Sequence, residues 1–471
     1  VKGVASATNL RRTLFSDSII SSFTPIISLL IAAVIIILIR KVFNITRWHG
    51  PPDAILAAHQ SNNSIDVKRG LGSTLTAFVS ASGGASVGQY GPLVHFGATV
   101  ATFLENFTSK RLPPGIFIGC GVAAAISAGF NAPIAGLVFA HEAVLRHFSL
   151  RAGGAIAISS ITASTIGSGV FKETLGLKII ADAPPLIEIV PIVLICSPIF
   201  GVLAIFFMYS IRLGGKISKA TRMSPSYQIL FAALICGSIG LFVPEILGLG
   251  TNEMNNIFAN QYEIIFLFII LIGKVIMTSL CIGFGFFGGI FAPALYVGAA
   301  GGGFIANSLI VLGFSLSLPA LALAGTAAVG AVAIGAPIAT TLIILEFTGS
   351  YEFAVAAMIA VQVSTFMAHR LYGDSLFDMA LNDRGFKIGL GRQHIQMNDI
   401  PLSKILSSEA LTFNENLKIK DVNLQMLNKE VTEAVVINSE NIYIGKISIH
   451  DILQTNLDHE IKIKNLIKNT H

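Results

Sequence analysis

Three short segments place glycine and proline where helices would begin. They are His49-Gly50-Pro51-Pro52-Asp53, Gly88-Gln89-Tyr90-Gly91-Pro92 and Gly288-Gly289-Ile290-Phe291-Ala292-Pro293. Proline suits the first helical turn because its missing N–H would be unpaired there anyway. The N–H groups left exposed, with the positive end of the helix dipole, suit an anion. One such turn is common punctuation. Three aimed at a common point would make a dehydrated anion site without formal positive charge. The candidate anion-binding residues are therefore His49, Gly50, Gly289, Ile290 and Phe291, the last two through their backbone amides. His49 is either a satisfied helix-start residue or a ring N–H donor, and with an ordinary pKa near 6.5 it would be charged more readily beside an anion.

Carboxylates in the same apolar regions come as a matched pair. Ala132-Pro133-Ile134-Ala135 is followed by Glu142, and Ala336-Pro337-Ile338-Ala339 by Glu346, each glutamate the ninth residue after its proline. Upstream, Pro92 leads to Gly97-Ala98 as Pro293 leads to Gly298-Ala299. Intramembrane carboxylates are functional by default, yet glutamates at matching helix ends read as caps on neighbouring backbone. His141, beside Glu142, is a candidate proton carrier. Gly/Pro-interrupted apolar segments in two corresponding halves mark a membrane transporter with an internal repeat.

The elements that must position these residues are membrane helices. Hydrophobic residues make up 53% of the 471 and charged residues 12%, against about 25% charged in soluble domains. No charged side chain falls between Lys274 and Glu346, or between Arg69 and Glu105. A span takes about twenty apolar residues, and broken helices are tolerated where backbone faces protein or a watery cavity. Candidate helices lie near 21–46, 71–83, 92–104, 114–146, 154–171, 186–211, 227–247, 263–281, 291–312, 317–334, 337–348 and 353–371. The first is too long for a signal peptide and ends in Arg40-Lys41 rather than a cleavage site, so it reads as a span. The start at Val1 without an earlier span suggests an incomplete N-terminus. Cys120, Cys196, Cys236 and Cys281 sit in apolar runs and imply no disulfide framework. Basic clusters at Arg11-Arg12, Arg40 to Arg47, Arg212 to Arg222 and Arg370 to Arg392 are candidate cytoplasmic edges. A net charge of +5 gives no reason to expect nucleic acid.

After Arg392 the composition turns to Asn, Lys, Glu and Ile. A strand near Leu411, a helix over 417–427, strands at 434–437 and 442–447 and a helix from Ile449 suit a small α/β module. The expected domains are thus 1–390, all-α and polytopic, and 393–471.

Residues 21–381 resemble the CLC family of chloride channels and anion/proton antiporters. Gly289-Ile290-Phe291-Ala292-Pro293 matches the family's G-x-F-x-P motif, and Asn131 to Gly136 with Glu142 is a close match. Gly88 to Pro92 stands for G-[KR]-E-G-P, and His49 to Asp53 falls where G-S-G-I-P-E is expected. The resemblance implies an inverted-repeat architecture and a homodimer with one pore per subunit. It also implies a multi-pass cell-membrane protein (inner membrane if bacterial) with chloride or a similar anion as substrate. The C-terminal module is similar to a single cytoplasmic CBS repeat. Ser448 and Asp451, in an S-x-x-D pattern, are its candidate adenine-nucleotide residues, and a plain helix cap is the alternative.

The departures from the family pattern are as informative as the matches. His49 replaces the serine anion ligand, Tyr90 the gating glutamate and Ala143 the inward-facing proton glutamate. Phe377 aligns with the tyrosine anion ligand. Tyr90 either fills a packing gap or donates a hydrogen bond; with an ordinary pKa near 10 it does not imitate a swinging carboxylate. The expectation is passive or weakly proton-coupled anion transport. The alternatives are antiport through His49, Tyr90 or His141, and a transport-silent nucleotide sensor. No nucleophile–base constellation or metal-spaced His/Cys cluster appears, so neither an enzyme, a metal site nor a required cofactor is expected.

Overall fold

The computed structural model describes residues 23–60, 65–108, 113–170, 183–386, 410–454 and 462–465. The chain divides into two compact units, Val1–Gln396 and Met397–His471. The described helices of the first are α1 (Thr24–Val42), α2 (Pro51–His59), α3 (Val67–Gly83), α4 (Tyr90–Glu105), α5 (Pro114–Phe130), α6 (Pro133–Phe139), α7 (Leu150–Val170) and α8 (Leu186–Ala220). There follow α9 (Pro225–Phe242), α10 (Thr251–Phe258), α11 (Ile264–Gly283), α12 (Phe291–Val311), α13 (Leu318–Ile334), α14 (Pro337–Thr348), α15 (Tyr351–Leu371) and α16 (Leu376–Asn382). Helices α1, α8, α9, α11 and α12 and the Tyr351–Asn382 run are long and apolar enough to span a membrane.

The expected 114–146 segment is not one helix. Asn131 takes the left-handed conformation (φ 54°) and ends α5, and Pro133 starts α6, the usual stop and start chemistry. A π turn over Ala140–Leu145 prolongs α6. Helix α10 lies outside every expected segment, because its Thr, Asn and Glu residues hide it from a search for apolar runs.

The sequence repeat becomes an exchange of contacts. Gly88 N donates to Gly289 O (2.7 Å) and Gly289 N to Gly88 O (2.6 Å). Glu142 accepts from the amides of Ile338 (2.9 Å) and Ala339 (2.7 Å), at the start of α14. Glu346 accepts from Ile134 (2.9 Å) and Ala135 (2.8 Å), at the start of α6. Contacts that swap partners between halves are what a two-fold relation produces. Each glutamate thereby satisfies amides that a helix start leaves orphaned. Two close crossings also match. A Cβ at Gly97 would strike Gly121 O between α4 and α5, and one at Gly298 would strike Gly325 O between α12 and α13.

Small residues let the central helices approach closely, and α13 is buried along almost its whole length. Lys274 of α11 is fully buried too. Its ammonium donates to Gly248 O (2.8 Å) and Ile246 O (3.2 Å) and lies 4.9 Å from the centre of the Tyr296 ring. A cation so placed is compensated by carbonyls and a π face, with the charge of the Glu253 carboxylate acting on it as well.

The second unit contains β1 (Thr412–Asn414), α17 (Ile419–Asn428), β2 (Glu433–Ile437), β3 (Tyr443–Ser448) and α18 (Ile449–Gln454). The sheet order is β1-β2-β3, with β1 parallel and β3 antiparallel to β2. A parallel pair needs a crossover, and α17 supplies it. The turn between β2 and β3 is held by the Asn438 side chain, which accepts from the amides of Glu440 and Ile442 (both 2.9 Å). Phe413, Val422, Met426, Val436, Ile447 and Ile463 form the core.

Candidate anion site

The three glycine-proline helix starts meet. A Cβ built on Gly91, at the start of α4, would lie 3.1 Å from Gly289 Cα and 3.4 Å from Pro51 of α2. Glycine is required where the backbones of α4 and the loop before α12 come this close. The loop before α2 is fastened to the same place by Trp48, whose ring stacks on Phe287 (centroids 5.5 Å) and whose Nε1 donates to Gly285 O (3.2 Å). Helix α16, which carries Phe377, packs against α2 and α13.

Not every candidate amide is free to hold an anion. Gly50 N donates to Asp53 Oδ2 (2.9 Å), His49 N to Ser73 Oγ (3.1 Å) and Gly289 N to Gly88 O (2.6 Å). The expected set narrows accordingly. Ile290 and Phe291 stand at the N-cap and first position of the 21-residue α12, where a backbone N–H has no intrahelical acceptor. The helix start leaves that pair of amides without an intrahelical acceptor, with the dipole of a long helix behind them.

Aromatic rings close this point. Tyr90 stacks on Phe130 (centroids 3.6 Å, 18°) and meets Phe291 edge-on (6.1 Å, 71°). Phe130 in turn contacts Phe291 and Phe347, both at 5.6 Å. The Tyr90 ring is buried among these neighbours. Ala143 is fully buried in the π turn and Phe377 is buried at the start of α16.

His141 is engaged locally. Its Nδ1 lies 3.0 Å from His147 O and its ring stacks on Phe148 (5.2 Å). Both glutamates are occupied as helix caps, the reading their symmetry favoured. Ser448 ends β3, and Asp451 falls in α18.

One group was missed by spacing alone. The His49 ring lies 3.9 Å from the Asp53 carboxylate (Nδ1 to Oδ1) and 6.1 Å, centroid to centroid, from the ring of His95 on α4. Asp53 also accepts from Arg47 (2.7 Å) and from Arg384 (3.0 Å), beyond α16. Only the approach of α4 to α2 could have revealed His95, and no local pattern encodes it.

Comparisons with known proteins agree with this architecture. The sequence profile described as voltage gated chloride channel matches residues 31–369. The chain is 27% identical over 363 residues to the voltage-gated ClC-type chloride channel ClcB of Escherichia coli O81 (strain ED1a), covering 75% of this chain and 85% of that one. The ClcB of Escherichia coli O157:H7 is 26% identical over the same length. Among solved structures, a slow cyanobacterial Cl−/H+ antiporter superposes with a TM-score of 0.70 at 20% identity, covering 81% of this chain and 92% of that one. A CLC-type fluoride/proton antiporter gives 0.65 at 23% identity, covering 78% and 90%. A eukaryotic CLC transporter gives 0.65 at 16% identity, covering 98% and 88%. Proteins of this kind move ions and are not enzymes. The profile match spans well over half of the sequence, and with the exchanged helix caps it leads to one assignment: the chain belongs to the voltage gated chloride channel (CLC) family and is an integral membrane protein.

Proposed function

We propose that the chain carries chloride or a similar small anion across the cell membrane, passively or with weak proton coupling. The observation that carries this reading is the meeting of three helix starts around Gly91, Gly289 and Pro51, next in the chain to the Ile290 and Phe291 amides, with the Tyr90 ring rather than a carboxylate against Phe291. The His49 ring lines the approach, and Phe377 packs nearby on α16. Antiport in this family uses a glutamate that alternately takes a proton and competes with the anion. By the resemblance of the surrounding motifs, Tyr90 and Ala143 stand where the gating and the inward-facing glutamates would be. Liposomes loaded with chloride, with external pH recorded during flux, test the proposal. Uphill proton movement at a fixed ratio to chloride sinks it.

A coupled exchange is the second reading, and it draws on the antiporters among the structural neighbours. His49, Tyr90 or His141 would then handle the proton, and the same pH record decides between the two.

We further propose a homodimer with one pore per subunit, residues 1–390 as the transport domain and 393–471 as a cytoplasmic CBS-like module. Ile134 and Ile338, at matching positions on α6 and α14, are about half exposed and suit a face met by lipid or by a second copy. An adenine nucleotide at Ser448 and Asp451 completes the proposal. Calorimetry on the intact chain that shows no heat with adenine nucleotides removes that part and leaves the transport reading standing.

A further inference from the structure

We propose that His49, Asp53 and His95 form a binding site for a divalent transition cation of the zinc class. One ligand atom from each residue lies within 4.8 Å of the other two. Two imidazoles and a carboxylate are a donor set that zinc, nickel and cobalt accept, and they leave a position open for water or an anion. Tetrahedral zinc, with bonds of about 2.0–2.1 Å, needs its ligand atoms roughly 3.4 Å apart. Reaching that spacing requires the side chains of His49 and Asp53 to shift, and Asp53 Oδ2 also accepts from Gly50 N (2.9 Å).

The second, independent observation is His95 itself. Its side chain is wholly buried, and among the described residues its Nε2 has no hydrogen-bond partner. A buried polar atom without a partner calls for an explanation. The surroundings fix the ring. Thr99 Oγ1 lies 3.4 Å from Nδ1, and Gly70 of α3 leaves room for it, since a Cβ there would come within 3.0 Å of His95 Cε1 and 2.8 Å of Thr99 Oγ1. Contacts that orient a ring in this way are the usual support of a metal-bound histidine.

Two guanidinium groups complicate the site in an informative way. Arg47 and Arg384 both hold Asp53 Oδ1, at 2.7 and 3.0 Å. A cation must displace at least one of them. The Arg47 side chain is half exposed and can turn to water. The metal and Arg47 therefore compete for one oxygen, so removing Arg47 must tighten metal binding. If the cluster instead received only anions, removing Arg47 would weaken its ligand. The opposite signs separate the two cases. Because the His49 ring lines the approach proposed above for the anion, bound metal slows anion flux; this part rests on that reading.

The test is calorimetry of the intact chain in detergent with zinc sulfate, beside bromide binding on the same samples. The expected result is one zinc per subunit, lost by at least about a hundredfold in His95→Ala and strengthened severalfold in Arg47→Gln. Zinc should also slow chloride efflux from liposomes, with recovery on chelation. A crystal of the unaltered chain soaked in zinc, read by anomalous scattering, keeps the test valid if His95→Ala does not fold. No zinc density at His95, or zinc affinity unchanged in a folded His95→Ala, overturns the site. Zinc binding without any effect on flux keeps the site and counts against the pathway through His49. Bromide binding that survives while zinc binding is absent separates failure of this inference from failure of the transport reading.

Discussion

Glu142 and Glu346 cap each other's repeat: each carboxylate accepts two backbone amides at the helix start that leads to the other. Hydrogen bonds to an ionised group contribute about 1.5–3 kcal/mol each. Replacing either carboxylate by an amide exchanges one good acceptor for a donor aimed at an N–H. Glu142→Gln and Glu346→Gln should each cost about 2–4 kcal/mol and lower the melting temperature in detergent by similar amounts. Anion flux per folded molecule should be unchanged. If Glu142→Gln abolishes flux yet melts normally, Glu142 handles protons rather than backbone.

The glycine crossings make a second matched pair. Gly97→Ala and Gly298→Ala each push a methyl group against a backbone carbonyl that has nowhere to go. Overpacking of this kind costs about 1–3 kcal/mol. Gly153→Ala in α7 is the control, since nothing lies within 4 Å of its Cβ and alanine is the better helix former. Melting curves should show the two crossing variants lowered and the control level or raised.

Much of this fold is legible in the sequence because the code is local. Pro133 and Pro337 announce helix starts, the charge-free stretch from Lys274 to Glu346 announces buried helices, and the glutamate spacing announces the repeat. The exchange between halves is less legible. Spacing suggests that Glu142 and Glu346 are caps, but only folding shows that each caps the opposite half. Amide engagement is also hidden, since the residues that occupy His49 N and Gly289 N are Ser73 and Gly88, far away in the chain. The cluster around His95 is hidden for the same reason, because the distance between α2 and α4 is set by packing and not by any pattern along the sequence.

Trp48→Phe isolates the fastening of the loop before α12. Phenylalanine keeps a ring against Phe287 but loses the bond from Nε1 to Gly285 O. The loss is about 1 kcal/mol, small enough to leave the fold intact. Because this loop leads to Ile290, bromide affinity should fall severalfold. Unchanged affinity would mean that the Trp48 contact does not help to place those amides.

Tyr90 offers the most direct test of transport mode. Its ring is sandwiched against Phe130 and edges Phe291, so Tyr90→Ala removes the aromatic closure beside the amides and should raise anion flux while lowering stability by about 3–5 kcal/mol. Restoring a carboxylate should behave differently. Tyr90→Glu puts an ionisable group beside the anion, and flux should become pH-dependent, rising as the carboxyl is protonated and no longer competes. It should not create stoichiometric exchange, because Ala143 leaves the inner end of the proton route without a carrier. The double change Tyr90→Glu with Ala143→Glu supplies both ends and is the variant expected to drive protons uphill on a chloride gradient. Liposome flux with simultaneous pH recording separates all three. Uphill proton movement by the unaltered chain would show that another group, such as His49, already does the work assigned here to missing carboxylates.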